Sequence, residues 1–151
     1  MSYFAAAFTR TGGGWQGDEI DLDDVRQIED VAEVASQVES DDGVVVVLVE
    51  DEDWFGVVRV DPDDDPKAFV SDAAEAVRSP VGAALLSELA ANESPDDLPS
   101  EPLGDKGVLD DLGVPSDELH QLAVGIGTSP SEAVAVLAER LGCVDALEAV
   151  R

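Results

Sequence analysis

Basic side chains are scarce in this chain. Lys and Arg number 8 against 35 Asp and Glu in 151 residues, a net charge of −27. The deficit is even along the length, with 11 acids against 2 bases in residues 1–43, 11 against 3 in 44–91, and 13 against 3 in 92–151. No window offers a basic patch. Direct binding to nucleic-acid phosphate, which needs Lys and Arg to displace counterions, is therefore excluded as a function class. An anionic membrane surface is disfavoured on the same ground. Cysteine is nearly absent too: Cys143 stands alone, so there is no intramolecular disulfide and no metal-ligand spacing. No run approaches the ~18 apolar residues of a membrane span. The opening "MSYFAAAFTRTGGGW" lacks a basic leader segment and a long apolar core, so no signal peptide is expected. These absences point to a reducing cytoplasm.

What is present is a core. Apolar residues make up 44%, too many for a disordered acidic tail. The length suits one domain, or one domain with a small appendage. "SYFAAAFTR" and "WQGDEI" flank the glycines of residues 12–14 and read as a β-hairpin. No Lys-Ser/Thr pair follows those glycines, so they do not form a phosphate loop. From Asp23 to Ser40 the period changes. Val25, Ile28, Val31, Ala32, Ala35 and Val38 form one apolar helical stripe, with Asp21 or Asp23 as the expected cap. "VVVVLV" at 44–49 is an unbroken β-branched run, expected as a central strand covered on both faces.

"WFGVVRV" then alternates, with Trp54, Gly56, Val58 and Val60 on one face and Phe55, Val57 and Arg59 on the other. "KAFVS" follows as a short strand. Asp72 and Glu75 make a capping box, and Ser79-Pro80 opens a further helix. The expected fold is α+β: a mainly antiparallel sheet in the order β-β-α-β-β-β with packed helices. Residues 1–91 form this core. Residues 92–104, "NESPDDLPSEPLG", hold three prolines and read as an acidic linker. Residues 105–151 form a small helical region, clearest at Ser129-Pro130-Ser131-Glu132 leading into "AVAVLAERLG".

Few constellations here carry chemistry. Asp61, Asp63, Asp65 and Asp72 imitate the spacing of a calcium loop, but Pro66 stands where the sharp turn needs glycine. Glu50, Asp51, Glu52 and Asp53 have no His or Cys nearby and read as a solvated turn. His120 and Cys143 are far apart in sequence and give no nucleophile–base signature. "SEAVAVLAERLGCVDALEAV" has the outline of a helix-turn-helix without the positive charge to sit on DNA. No catalytic residue, cofactor or metal is expected. The two acidic blocks, Glu50–Asp53 and Asp61 with Asp63, Asp64 and Asp65, are the candidate contacts for a basic protein partner.

The segments "YFAAAFTRTGGGW", "VVVVLVEDEDWFGVVRVD…FVSDAAEA" and "LGCVDALEAVR" resemble the tRNA adenosine deaminase-associated proteins of actinobacteria. The resemblance covers residues 3–78 well and 105–151 less closely. It implies a cytoplasmic protein that partners or regulates a tRNA-editing enzyme, and it brings no catalytic residues with it. Zinc nucleobase deaminases need His-x-Glu and Pro-Cys-x-x-Cys. Here Gln121 and Leu122 follow His120, so the chain is not itself the deaminase. The leading expectation is a non-enzymatic acidic interaction protein, an accessory to the deaminase. The alternatives are a nucleic-acid mimic that inhibits a basic protein, and an enzyme of unrecognised type.

Overall fold

The computed structural model describes residues 3–150 apart from 12–13, 23, 38–42, 62–64, 88–96 and 125–128. Its strands follow the alternating and β-branched runs: β1 (Phe4–Thr11), β2 (Gly14–Glu19), β3 (Val45–Glu50), β4 (Phe55–Val60), β5 (Lys67–Val70) and the two-residue β6 (Leu103–Gly104). Between and after them lie α1 (Ile28–Ser36), α2 (Ala73–Ala76), α3 (Pro80–Leu85), α4 (Ser116–Val124), α5 (Pro130–Leu141) and α6 (Val144–Val150). The strands make one sheet in the order β2-β1-β3-β4-β5-β6, with every neighbouring pair antiparallel. This is the α+β fold expected, with the strand-and-helix order β-β-α-β-β-β over its first part.

Alternation divides the sheet between two apolar layers. Ala5, Ala7, Val45, Val47, Val49, Val58 and Val70 meet α1, α2 and α3, with Trp54 and Leu22 filling the space between. Ala6, Phe8, Val46, Leu48, Phe55, Val57 and Phe69 meet α5, α6 and Leu119 of α4. β3 is thus buried on both faces, which is why it carries valine or leucine at five successive positions. The segment after residue 105 supplies the whole second layer. Burying three phenylalanines there is worth roughly 1.5–3 kcal/mol for each ring, so the layer contributes substantially to stability.

Helix ends follow local chemistry where the cap is local. Asp72 Oδ1 accepts from Glu75 N–H at 3.1 Å, and Ser129 Oγ accepts from Glu132 N–H at 3.2 Å. α5 stops at Gly142, whose φ of +88° is a left-handed conformation that glycine adopts without strain. Pro80 opens α3 as expected, although the Ser79 hydroxyl makes no capping hydrogen bond. The start of α1 differs from expectation. The helix begins at Ile28 rather than 23, with Gln27 at the cap position, and Asp23 lies outside the described residues. Ile28 N–H instead donates to Ser87 Oγ at 3.0 Å, an acceptor 59 positions away. α2 and α3 meet at Gly82, where a Cβ would overlap the Ala76 carbonyl.

Part of the acidic proline-bearing segment 92–104 is described. Leu98 is buried, and the carbonyls of Pro99 and Glu101 accept from Ala74 and Ala73 N–H at 3.1 and 3.0 Å. Leu103 pairs with Val70 to make β6. Among the described residues, no helix is long and apolar enough to cross a membrane.

Candidate functional site

The two acidic blocks sit at opposite ends of β4, and each is built differently. Antiparallel pairing of β3 with β4 brings Glu50 opposite Phe55, leaving Asp51–Trp54 to make the turn. Asp51 N–H donates to the Trp54 carbonyl at 2.9 Å, and Asp51 Oδ1 accepts from Glu52 N–H at 2.6 Å. Asp51 is only 9% exposed, whereas Glu52 and Asp53 face solvent. A cavity of about 360 Å³ opens beside this turn, with Glu50, Asp51 and Glu52 on one wall and Ser129, Pro130 and Ser131 on another.

At the other end, Asp61 is drawn inward. Its Oδ1 accepts from Arg59 Nε at 3.1 Å, and the two side chains are 15% and 14% exposed. Asp63 and Asp64 lie outside the described residues, and Asp65 is exposed. The structure therefore brings the six described candidate acids to two places, not one.

Arg59 connects this end to the C-terminal layer. Its guanidinium forks onto Asp111, with Nη1 to Oδ1 and Nη2 to Oδ2 at 2.9 Å, and Nη1 also donates to the Val108 carbonyl at 3.3 Å. Such a planar, bidentate pair needs arginine's fixed geometry. The hydrogen bond to Asp111 is the main reason the Arg59 pKa is raised, against an opposing effect of burial and with further help from Asp61. The same bond holds the Asp111 carboxyl below the usual carboxylate range. A sequence signal for this contact existed. Alternation puts Arg59 on the face of Phe55 and Val57, and a charge on an apolar face needs a partner.

The remaining chemistry-bearing residues do not assemble. Asp72 is occupied as a cap, so the calcium-like spacing loses its last position. Among the described residues, no group of three His, Cys, Asp or Glu could hold a metal ion. Cys143 is buried in the second layer, and burial pushes its thiol up to about 12. His120 is half-buried on α4, with no hydrogen-bond partner for Nδ1 among the described residues.

Four of the scarce cations are engaged with groups of their own chain. Arg59 has Asp61 and Asp111, Arg78 lies 3.6 Å from Glu75, Arg140 lies 2.6 Å from Glu118, and Arg10 stacks 5.4 Å over the Trp15 ring.

With that geometry in view, a family profile described as Rv3753c-like tRNA adenosine deaminase-associated protein matches residues 3–144. The chain belongs to this family. Protein Rv3753c of Mycobacterium tuberculosis (strain ATCC 25618 / H37Rv) is 27% identical over 150 residues, covering 97% of this chain and 86% of the relative. No solved structure matches. The family description names an association with the deaminase, not a deaminase. The residues agree with that wording, since His120 is followed by Gln121 and Leu122 and one cysteine cannot supply the Cys-x-x-Cys pair of ligands.

Proposed function

We propose that this protein is a non-enzymatic accessory or regulator that binds a basic protein partner in the cytoplasm, the partner being the tRNA-specific adenosine deaminase. The observation that carries this reading is the one-sided surface. Lys and Arg number 8 against 35 Asp and Glu, and Arg59, Arg78 and Arg140 are each held against acids of their own chain, so a partner meets mainly negative charge. A tRNA-handling enzyme must present a basic groove, and complementary charge steers association toward or beside it. Within the two acidic blocks, Glu52, Asp53 and Asp65 are exposed and available for contact. Asp51 is committed to its own turn and Asp61 to Arg59.

The same surface favours a second reading, in which the protein mimics nucleic acid and blocks that groove. Co-purification at low and moderate salt, with partners identified by mass spectrometry, tests the first reading. Recovery of the deaminase at low salt and its loss at higher salt is the expected result, and failure to recover it at either salt overturns the reading. Deaminase turnover on tRNA separates the two. An accessory preserves or raises it, while a mimic raises the apparent KM for tRNA.

A further inference from the structure

The sheet ends at β2 on one side, and no other described strand pairs with that edge. The Ile20 N–H donates to the Ala5 carbonyl at 3.0 Å, which makes Ala5 and Ile20 a hydrogen-bonded pair. The register then makes Asp18, Gln16 and Gly14 the positions whose backbone faces β1. Trp15, Gly17 and Glu19 turn their N–H and C=O groups outward, and no described backbone hydrogen bond from outside the sheet reaches them. The three positions repeat every second residue over about 13 Å, enough to pair with a strand of roughly five residues.

Sheet edges are commonly guarded by lysine, proline, a bulge or short length. β2 has no lysine and no proline in "GWQGDE", and its register with β1 runs without a bulge over six pairs. What it has is acid. Beside it, between β2 and α1, lies a groove of about 600 Å³ lined by Gln16, Asp18, Glu19, Asp21, Ile20 and Val34, among others. Ile20 and Val34 give the groove an apolar part, and the carboxylates give it one sign of charge. On the opposite face, Gly17 lies so close to Phe8 and Ala146 that an added Cβ would stand 2.9 and 3.0 Å from them. The edge is therefore held rigidly by the layer behind it.

We propose that the β2 edge and its groove take a basic extended segment of a partner protein as a seventh strand. Main-chain hydrogen bonds to Trp15, Gly17 and Glu19 would supply the pairing, and alternate Lys or Arg side chains on the groove face would reach Asp18. A second copy of this chain is disfavoured as occupant, because it would bring the same acids against each other at a net charge of −27 on each copy. The inference rests on the proposed function only for the sign of the partner. A failed co-purification with the deaminase leaves a positive peptide result standing, and a failed peptide titration leaves co-purification standing.

The test uses the full chain and two blocked seven-residue peptides, one alternating Lys and Val and one alternating Glu and Val, followed by backbone NMR. The Lys–Val peptide is expected to shift resonances of residues 14–21 and to slow amide exchange at Trp15, Gly17 and Glu19 by roughly tenfold or more at saturation. Glu19→Pro removes one outward donor and should weaken binding at least about fivefold, while Glu19→Gln, which keeps the donor, should weaken it less. The double variant Asp18→Asn/Glu19→Gln should show a reduced salt dependence. If Glu19→Pro loses its cooperative melt, the exchange pattern of the unmodified chain and the double variant carry the test. Equal binding of the Glu–Val peptide, perturbation centred elsewhere, no binding of either peptide, or concentration-dependent dimerisation through β2 would each overturn the proposal.

Discussion

Arg59 on β4 holds both carboxylate oxygens of Asp111, 52 positions further along the chain, while its Nε holds Asp61 two residues away. One guanidinium thus ties the sheet to the helical layer that covers it. Arg59→Met would leave the Asp61 carboxylate and the Val108 carbonyl without their donor. The expected cost is about 1–3 kcal/mol in urea unfolding, with Arg59→Lys recovering part of it because a lysine cannot fork.

The Asp111 end of this pair gives a pH signature. Arg59 lowers the folded pKa of Asp111, so the contribution is fully present above the unfolded value of about 3.9 and is lost as pH falls through the lowered folded value. Asp111 is 63% exposed, so water screens the pair and less than about 1 kcal/mol is at stake. The stability gap between the unmodified chain and Asp111→Asn should be open at pH 6 and close progressively below about pH 4. A gap unchanged down to pH 2 would remove the ion pair as its cause.

Cys143 should be chemically silent. Its thiol is buried and pushed up to about 12, which leaves almost no thiolate at neutral pH. A thiol reagent such as DTNB is expected to react with the native chain at least about a hundredfold more slowly than with the chain in guanidinium. Native reactivity equal to that of the denatured chain would mean that the second layer opens readily.

Much of this architecture is legible in residue order, and the exceptions have physical causes. The β-branched run at 44–49, the alternation across Trp54–Val60 and the serine–proline–glycine punctuation of α5 are local signals, and each element lies where they place it. β6 was not legible, because two residues in a proline-bearing segment show no period. The start of α1 depends on Ser87, a tertiary acceptor that no local pattern announces. In the candidate site, the acidic blocks were visible as composition. Their differing roles were not, because burial of Asp51 and pairing of Asp61 depend on the turn and on Arg59.

Those differing roles can be measured. Glu52→Gln/Asp53→Asn should leave the melting temperature within a degree or two, or raise it by relieving like-charge repulsion. Asp51→Ala and Asp61→Ala should each cost about 1 kcal/mol, since each carboxylate accepts a defined hydrogen bond that alanine cannot. If the first block is the docking surface, only its exposed pair should slow association with the basic partner. Equal and small effects from both blocks would assign the charge to bulk repulsion between molecules.

We propose that residues 1–91 and 105–151, joined by the acidic segment 92–104, unfold as one cooperative body. A fragment ending at residue 91 would bare Phe8, Leu48, Phe55 and Phe69 on one side of the sheet. It is expected to bind the dye ANS and to aggregate, and the full chain to melt in a single transition. A monomeric fragment with a sharp melt of its own would show that the division is a true domain boundary.

The second layer of helices also has a consequence in time. A ribosome releases β1 to β5 well before α4, α5 and α6, so every newly made sheet spends an interval with an oily side uncovered. During that interval 22 carboxylates have already emerged within residues 1–91, against 5 basic groups. Neighbouring nascent chains on a polysome therefore carry like charge at the stage when they are stickiest, which opposes their association before the second layer has been made.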